Sequence, residues 1–418
     1  MTTPNLRHTP LLVALLSAFA PSAFAQQTPD LIASHNEAPT KVVGTVIVTG
    51  SQPSSLPSHI PTTMEGMTGK QIETSINATD SEDGLKYLPS LLVRKRYIGD
   101  YNHAVLSSRA SGTGNSARSA VYADGILLSN YLGNGATYAP RWGLVTPEEI
   151  ERVDVMYGPF SAAYRGNSVG AVVDYVTKMP KKFEAHAKIG YYHQPFALYN
   201  SNATYRGNQA SASIGNKQGD WSWWVNLNRL DSQGQPLTFP TRALSNSTPA
   251  SNAVAVTGAV QELDRSNTPW LILGTATAYH TVQEHAKIKL AYDISSTLRA
   301  SYTFGYWQNA SEGRPESYLR NAATGNTVYS GPISINGKGY TLATSDFNLS
   351  NDDLQHSMHG LSVKSNTKSV FDWEVAASTY KYGKDQSRSA STALPSASTG
   401  GAGSLQDQNG TGWNALAL

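Results

Sequence analysis

From residue 182 to the end, the chain repeats one pattern: segments of about nine to eleven residues in which apolar and polar side chains alternate. Phe183, Ala185, Ala187, Ile189 and Tyr191 form one apolar stripe. Trp223, Val225 and Leu227 form a second, and Ala286, Ile288, Leu290 and Tyr292 a third. Leu298, Ala300, Tyr302, Phe304 and Tyr306 repeat it, as do Phe371, Trp373, Val375, Ala377 and Thr379. Weaker segments lie at 208–215 and 358–366, and one more begins at 413–418. A period of two makes each segment a strand with one apolar face. The links between them alternate too. They are short near 216–220, 294–297 and 367–370, and long and polar near 194–207, 232–284, 309–357 and 382–411. Short turns on one rim and long loops on the other describe a transmembrane β-barrel. Trp221, Tyr292, Tyr306 and Tyr380 fall near strand ends, where a membrane interface places aromatic rings. A soluble β-domain also alternates; the loop lengths and aromatic positions favour the barrel.

The N-terminus carries an export address. Arg7 and His8 precede an apolar run at 11–20, and Ala23, Phe24 and Ala25 give a small-x-small cleavage signal, so residues 1–25 read as a signal peptide. Pro21 ends that run after about ten residues, half of what a membrane-spanning helix needs. Cysteine is absent, which removes disulfides, thiolate metal sites and cysteine nucleophiles. Charged residues make up 15% of the chain and the formal net charge is +2, so no basic face for nucleic acid is present.

Residues 26–59 are polar and rich in proline, a flexible tether. Within it stand Thr45, Val46, Ile47, Val48 and Thr49, five strand formers followed by Gly50. Two readings fit them: a strand offered to the sheet edge of another protein, or the first strand of the next domain. Residues 60–180 have the texture of a compact α/β unit. A short helix is expected over 80–88, stopped by Pro89. Residues 91–94 read as a strand, and 121–127 as a hairpin turning at Asp124 and Gly125. Pro147, Glu148 and Glu149 open a helical turn; 152–156 and 171–177 are strands.

These pieces, in this order, resemble the TonB-dependent outer-membrane receptors. Residues 45–50 resemble the TonB box. The stretches 82–89, 92–94, 121–126, 147–155, 158–164 and 176–178 resemble the plug domain over 60–180. The sequence departs from the family pattern at Ala110, Arg165 and Ala171, where glycines are usual. The resemblance implies a 22-stranded membrane β-barrel closed by an N-terminal α/β plug. Such a wall needs on the order of 450 residues, whereas 181–418 hold about eight strands, so a partial barrel is expected. It also implies a protein of the Gram-negative outer membrane, a monomer set in lipid. Its role would be energised import of a scarce solute, most simply a ferric siderophore or similar metal chelate. Passive porin or adhesin function, or a fragment without activity, are the alternatives. TonB would be the protein partner, touching Thr45, Val46, Ile47, Val48 and Thr49.

By the same resemblance, solute would meet the plug apices. The candidates are Arg109, Thr113, Asn115, Tyr131, Asn134, Tyr138, Arg141 and Trp142, whose rings and guanidinium groups suit an anionic, partly apolar chelate. Arg109, Arg152, Glu148 and Glu151 are candidates for ion pairs between plug and wall, with ordinary surface pairing as the bland alternative. His356 and His359 point opposite ways on a strand, and His280 and His285 read as solvated loop histidines, so no metal site and no cofactor is expected. No nucleophile elbow, zinc-helix motif or phosphate loop occurs, and an enzyme is not expected.

Overall fold

The computed structural model describes Leu56 and residues 62–101, 104–109, 118–130, 139–158, 164, 168–367, 371–397 and 403–417. The expected signal peptide and residues 45–50 lie outside the described residues, as do Thr113, Asn115, Tyr131, Asn134 and Tyr138.

The plug is built on seven strands: β1 (Met64–Thr68), β2 (Leu91–Arg94), β3 (Val105–Ser108), β4 (Ser119–Ala123), β5 (Ile126–Leu127), β6 (Ile150–Tyr157) and β7 (Ala171–Thr177). Five of them form one sheet in the order β1-β6-β7-β4-β5; β2 pairs with β3 alone. Asp124 and Gly125 both take positive φ, 50° and 78°, which is the geometry of the tight turn expected between β4 and β5. Helix α1 (Gly69–Ser75) starts at a capping box in which Thr68 and Gln71 bond each other's backbone N–H. The helix expected over 80–88 is instead a 3-10 turn, Ser81–Leu85. Asp83 folds back to accept from the Thr79 and Asp80 N–H groups and from Lys95, and Gly84 favours no helix; together they stop a second turn.

The wall is one antiparallel meander. Its strands are β8 (Glu184–Leu198), β9 (Ser201–Gln218), β10 (Trp221–Gln233), then β15 (Gly274–Ser295), β16 (Leu298–Ser317), β20 (Ser350–Ser365) and β21 (Glu374–Ala390). The short strands β22 (Gly403–Asp407) and β23 (Gly412–Ala417) lie end to end along β21, filling one strand position between them. That gives the eight positions expected. Pairing register sets the outer surface: Ala185, Ile214, Val225, Ile288 and Phe304 stand in one row across five strands. On this face Ile189, Tyr191, Leu290, Leu361 and Leu416 are exposed apolar side chains. Exposed Phe183, Trp221, Tyr292, Phe371 and Trp373 crowd the short-turn rim. An apolar band edged by aromatic rings is how a strand wall meets lipid. Tyr380 does not join that rim. It has the opposite parity to Val375 and Ala377, opposes Met358, and is buried against the plug.

The expected long links contain strand. The segment 194–207 is strand apart from a turn at Tyr199 and Asn200, because β8 and β9 run on past the apolar stripe. The long links 232–284 and 309–357 are partly strand and partly a folded lobe. The lobe's strands are β11 (Thr241–Ala243), β12 (Val254–Thr257), β13 (Val260–Leu263), β14 (Pro269–Ile272), β17 (Arg320–Asn321), β18 (Gly331–Ile335) and β19 (Lys338–Leu342). It has its own core of Val256, Leu271, Leu273, Leu319, Ile333, Ile335, Leu342 and Phe347.

Candidate functional site: the plug–wall interface

Inward positions of the wall are polar. The row Ser213, Asn226, Lys287, Gly305, Met358, Tyr380 lies beside the row Ser211, Asn228, His285, Trp307, His356, Tyr382. Three groups of contacts hold the plug against them.

The first is ionic and centred on β15. Lys287 Nζ lies 2.8 Å from Glu149 Oε1, both fully buried. Lys289 Nζ lies 3.0 Å from Asp124 Oδ2 and donates to the Thr177 carbonyl (3.0 Å) and hydroxyl (2.7 Å). Burial pushes the Glu149 carboxyl up; Lys287 and the Thr146 N–H pull against it, and the net direction is upward. Asp124 is also buried, but Lys289, Lys287 and the two Thr177 bonds outweigh burial and hold it below the usual carboxylate value.

The second is aromatic. Tyr382 accepts from Arg141 Nε at 2.8 Å and Asn130 Nδ2 at 3.0 Å, while His356 stacks on its ring at 4.0 Å. His356 Nε2 is 2.9 Å from Asp385, and Tyr380 stacks on Trp413, whose indole donates to the Leu127 carbonyl at 3.1 Å.

The third uses plug backbone. Gln209 donates to the Thr79 carbonyl (2.8 Å), Ser232 to Ile98 (2.8 Å), Gln235 to Arg96 (3.0 Å) and Gln283 to Gly99 (2.9 Å). Beside these lies a cavity of about 40 Å³ lined by Glu82, His285 and Trp307. Burial, with Asp80 adding to it, pushes the Glu82 carboxyl well above the usual range. A larger cavity of about 1120 Å³ opens beside Asp124, Lys217, Lys289 and Arg299. Lys217 and Arg299 are both paired with Asp293, at 2.5 and 3.2 Å.

The expected site residues are redistributed. Arg152 pairs at 2.8 Å with Asp154 on its own strand, because the two side chains, two residues apart, share one face of β6. Arg109 is exposed and bonds the Ser90 hydroxyl within the plug. Glu151 is exposed; its neighbour Glu149 is the residue turned to the wall, and Glu148 accepts from Asn228. Arg141 and Trp142, expected to meet solute, are 5% and 4% exposed. Arg141 is committed to Tyr382, and Trp142 donates to the Ala104 carbonyl and packs edge-on against Tyr175. His280 and His285 are strand residues, the latter buried 3.3 Å from the Leu144 carbonyl. The wall partners Lys287, Lys289, Tyr382 and Asp385 were missed. A lysine among apolar residues, as in Ala286 to Leu290, was the available signal for the first two.

Residues 57–172 match the family model of the TonB-dependent Receptor Plug Domain. Over those residues the chain is similar to the plug of TonB-dependent receptors. The vitamin B12 transporter BtuB of Vibrio vulnificus (strain YJ016) is 28% identical over 148 residues, 35% of this chain and 23% of that relative. Among solved structures, the ferric enterobactin receptor PfeA, from Pseudomonas aeruginosa, aligns with a TM-score of 0.45 at 14% identity, covering 84% of this chain and 45% of that one. The ferric preacinetobactin receptor BauA of Acinetobacter baumannii aligns at 0.42 and 16%, covering 84% and 51%. The chain thus spans about a quarter of the curated relative and about half of those structures.

Proposed function

We propose that this chain is the plug and part of the wall of an outer-membrane receptor that imports a metal chelate or similar scarce solute with energy delivered through TonB. The observation that carries the reading is a plug-domain sequence packed on the polar face of a strand wall whose other face is apolar. The wall sits in outer-membrane lipid as a monomer, and the plug closes it. The contacts between them include many hydrogen bonds and ion pairs, which water can replace when the plug moves. Thr45, Val46, Ile47, Val48 and Thr49 add as a strand to TonB, and main-chain hydrogen bonds carry the pull. Solute meets the plug at Thr113, Asn115, Tyr131, Asn134 and Tyr138, with exposed Arg109 nearby in sequence; Arg141 and Trp142 are buried at the plug–wall interface. The kinship with a vitamin B12 transporter supports a chelate-like cargo.

The test uses the protein expressed from its complete reading frame. Deleting residues 45–49 leaves solute bound at the cell surface and stops its accumulation; continued accumulation refutes TonB coupling. Radiolabelled ferric catecholate, ferric hydroxamate and cyanocobalamin, supplied separately, identify the cargo. Uptake of none of them refutes the chelate assignment.

A further inference from the structure

Residues 128–130 and 139–141 flank the segment 131–138 in sequence, and both of these stems meet one wall atom. Asn130 Nδ2 and Arg141 Nε lie 3.0 and 2.8 Å from the Tyr382 hydroxyl oxygen. The stems are also tied to each other, because the Arg141 N–H donates to the Leu128 carbonyl at 3.0 Å. All three side chains are buried. A phenol oxygen that accepts from two plug residues cannot serve one stem without constraining the other.

The wall fixes that oxygen in turn. His356 lies parallel to the Tyr382 ring, 4.0 Å away, and is itself held by Asp385 at 2.9 Å and Tyr380 at 3.1 Å. The Arg141 guanidinium sits 5.2 Å from the Tyr382 ring centre, adding a cation–π contact to the hydrogen bond. A ring clamped on its face and bonded at its tip has little freedom to follow a moving stem.

We infer that Tyr382 is a positioning residue: its hydroxyl sets the spacing of the two stems that carry residues 131–138. The purpose assigned to that segment, solute contact, rests on the transport reading; the positioning itself does not. Displacement of either stem reaches strand β21 through this oxygen, and displacement of Arg141 reaches it also through Asp385, 3.8 Å from the guanidinium.

The test is hydrogen exchange by mass spectrometry on the full chain in membranes, with no solute present. Tyr382→Phe removes the hydroxyl and keeps the ring stack. Exchange in peptides covering 126–130 and 139–145 is expected to rise at least about fivefold, with 150–157 and 171–177 unchanged. Asn130→Ala alone is expected to give a smaller rise in the same peptides and to add little to Tyr382→Phe, since both act at one atom. Unchanged exchange in both stem peptides overturns the inference. So does an equal rise across 150–157 and 171–177, which would make Tyr382 a general support of the plug. Fully additive variants overturn the shared-atom claim. Loss of uptake by the residue 45–49 deletion bears on the transport reading and leaves these outcomes untouched.

Discussion

Lys287 Nζ on the wall and Glu149 Oε1 on the plug are 2.8 Å apart, with no exposure left to either side chain. A buried pair of this kind is weak evidence of stabilisation but a strong constraint, because losing one partner strands the other. Lys287→Met should destabilise the seated plug by about 3–5 kcal/mol. Lys287→Met combined with Glu149→Leu should recover most of that loss, because no charge is then left buried. Loss of the heat-modifiable folded band on electrophoresis, followed against temperature, measures both. Equal destabilisation by the single and double variants would sink the argument.

The two carboxylates that face β15 give opposite pH limbs. Asp124 is held below the ordinary Asp value of 3.8, so its contribution is complete above that value and is lost as the pH falls below it. Glu149 is raised above the ordinary Glu value of 4.5. The folded state therefore binds its proton more tightly than the unfolded chain, and stability declines as pH rises from 4.5 through the raised value. Asp124→Asn should flatten the acid limb of a stability–pH curve and Glu149→Gln the other. A curve unchanged by either substitution would contradict the assignment.

Gly143 lies in the 3-10 turn Trp142–Leu144, against the face of Trp307 on β16, and a Cβ there would overlap the indole. Trp307 is 2% exposed and packs at a tilt against Tyr101 and His356, so it has nowhere to retreat. Gly143→Ala should cost about 1–3 kcal/mol by overpacking. Adding Trp307→Leu to Gly143→Ala should cost less than the two single effects summed, since the smaller side chain relieves the clash. Urea midpoints of the three variants decide this; strict additivity would place the clash elsewhere.

Strands were legible because each carries its own signal. The stripe from Ala286 to Tyr292 announces β15 without help from its neighbours, and the Asp124 and Gly125 turn announces the β4–β5 hairpin. The plug–wall contacts carry no such signal. Gln209, Ser232, Gln235 and Gln283 donate to backbone carbonyls, which every residue possesses, so the partners leave no trace in sequence. The sequence does not distinguish Glu149 from Glu148 and Glu151, because which of three clustered acids turns inward depends on the 3-10 turn Pro147–Glu149. Tyr382 pairs with Asn130 and Arg141 across more than two hundred residues, a separation at which only the closed fold specifies contact. The lobe core around Phe347 was hidden because its apolar residues are shared between two links, neither of which is apolar enough alone.

The outer face supplies the last prediction. Ile288 stands in the cross-strand row with Val225 and Phe304, 40% exposed on the side away from the plug. Leu244 is 49% exposed, next to strand β11 of the loop lobe. Exposure alone would make arginine equally tolerable at both. In lipid the two differ: Ile288→Arg should cost about 2–4 kcal/mol near the bilayer midplane. Leu244→Arg, in water, should stay within about 0.5 kcal/mol. The measurement is the fraction of each variant that reaches a folded, heat-modifiable state in outer-membrane vesicles. Ile288→Arg should fall well below the parent while Leu244→Arg matches it. Equal folding of the two variants would mean that the row of Ala185, Ile214, Val225, Ile288 and Phe304 faces water, and the wall would then be a soluble sheet.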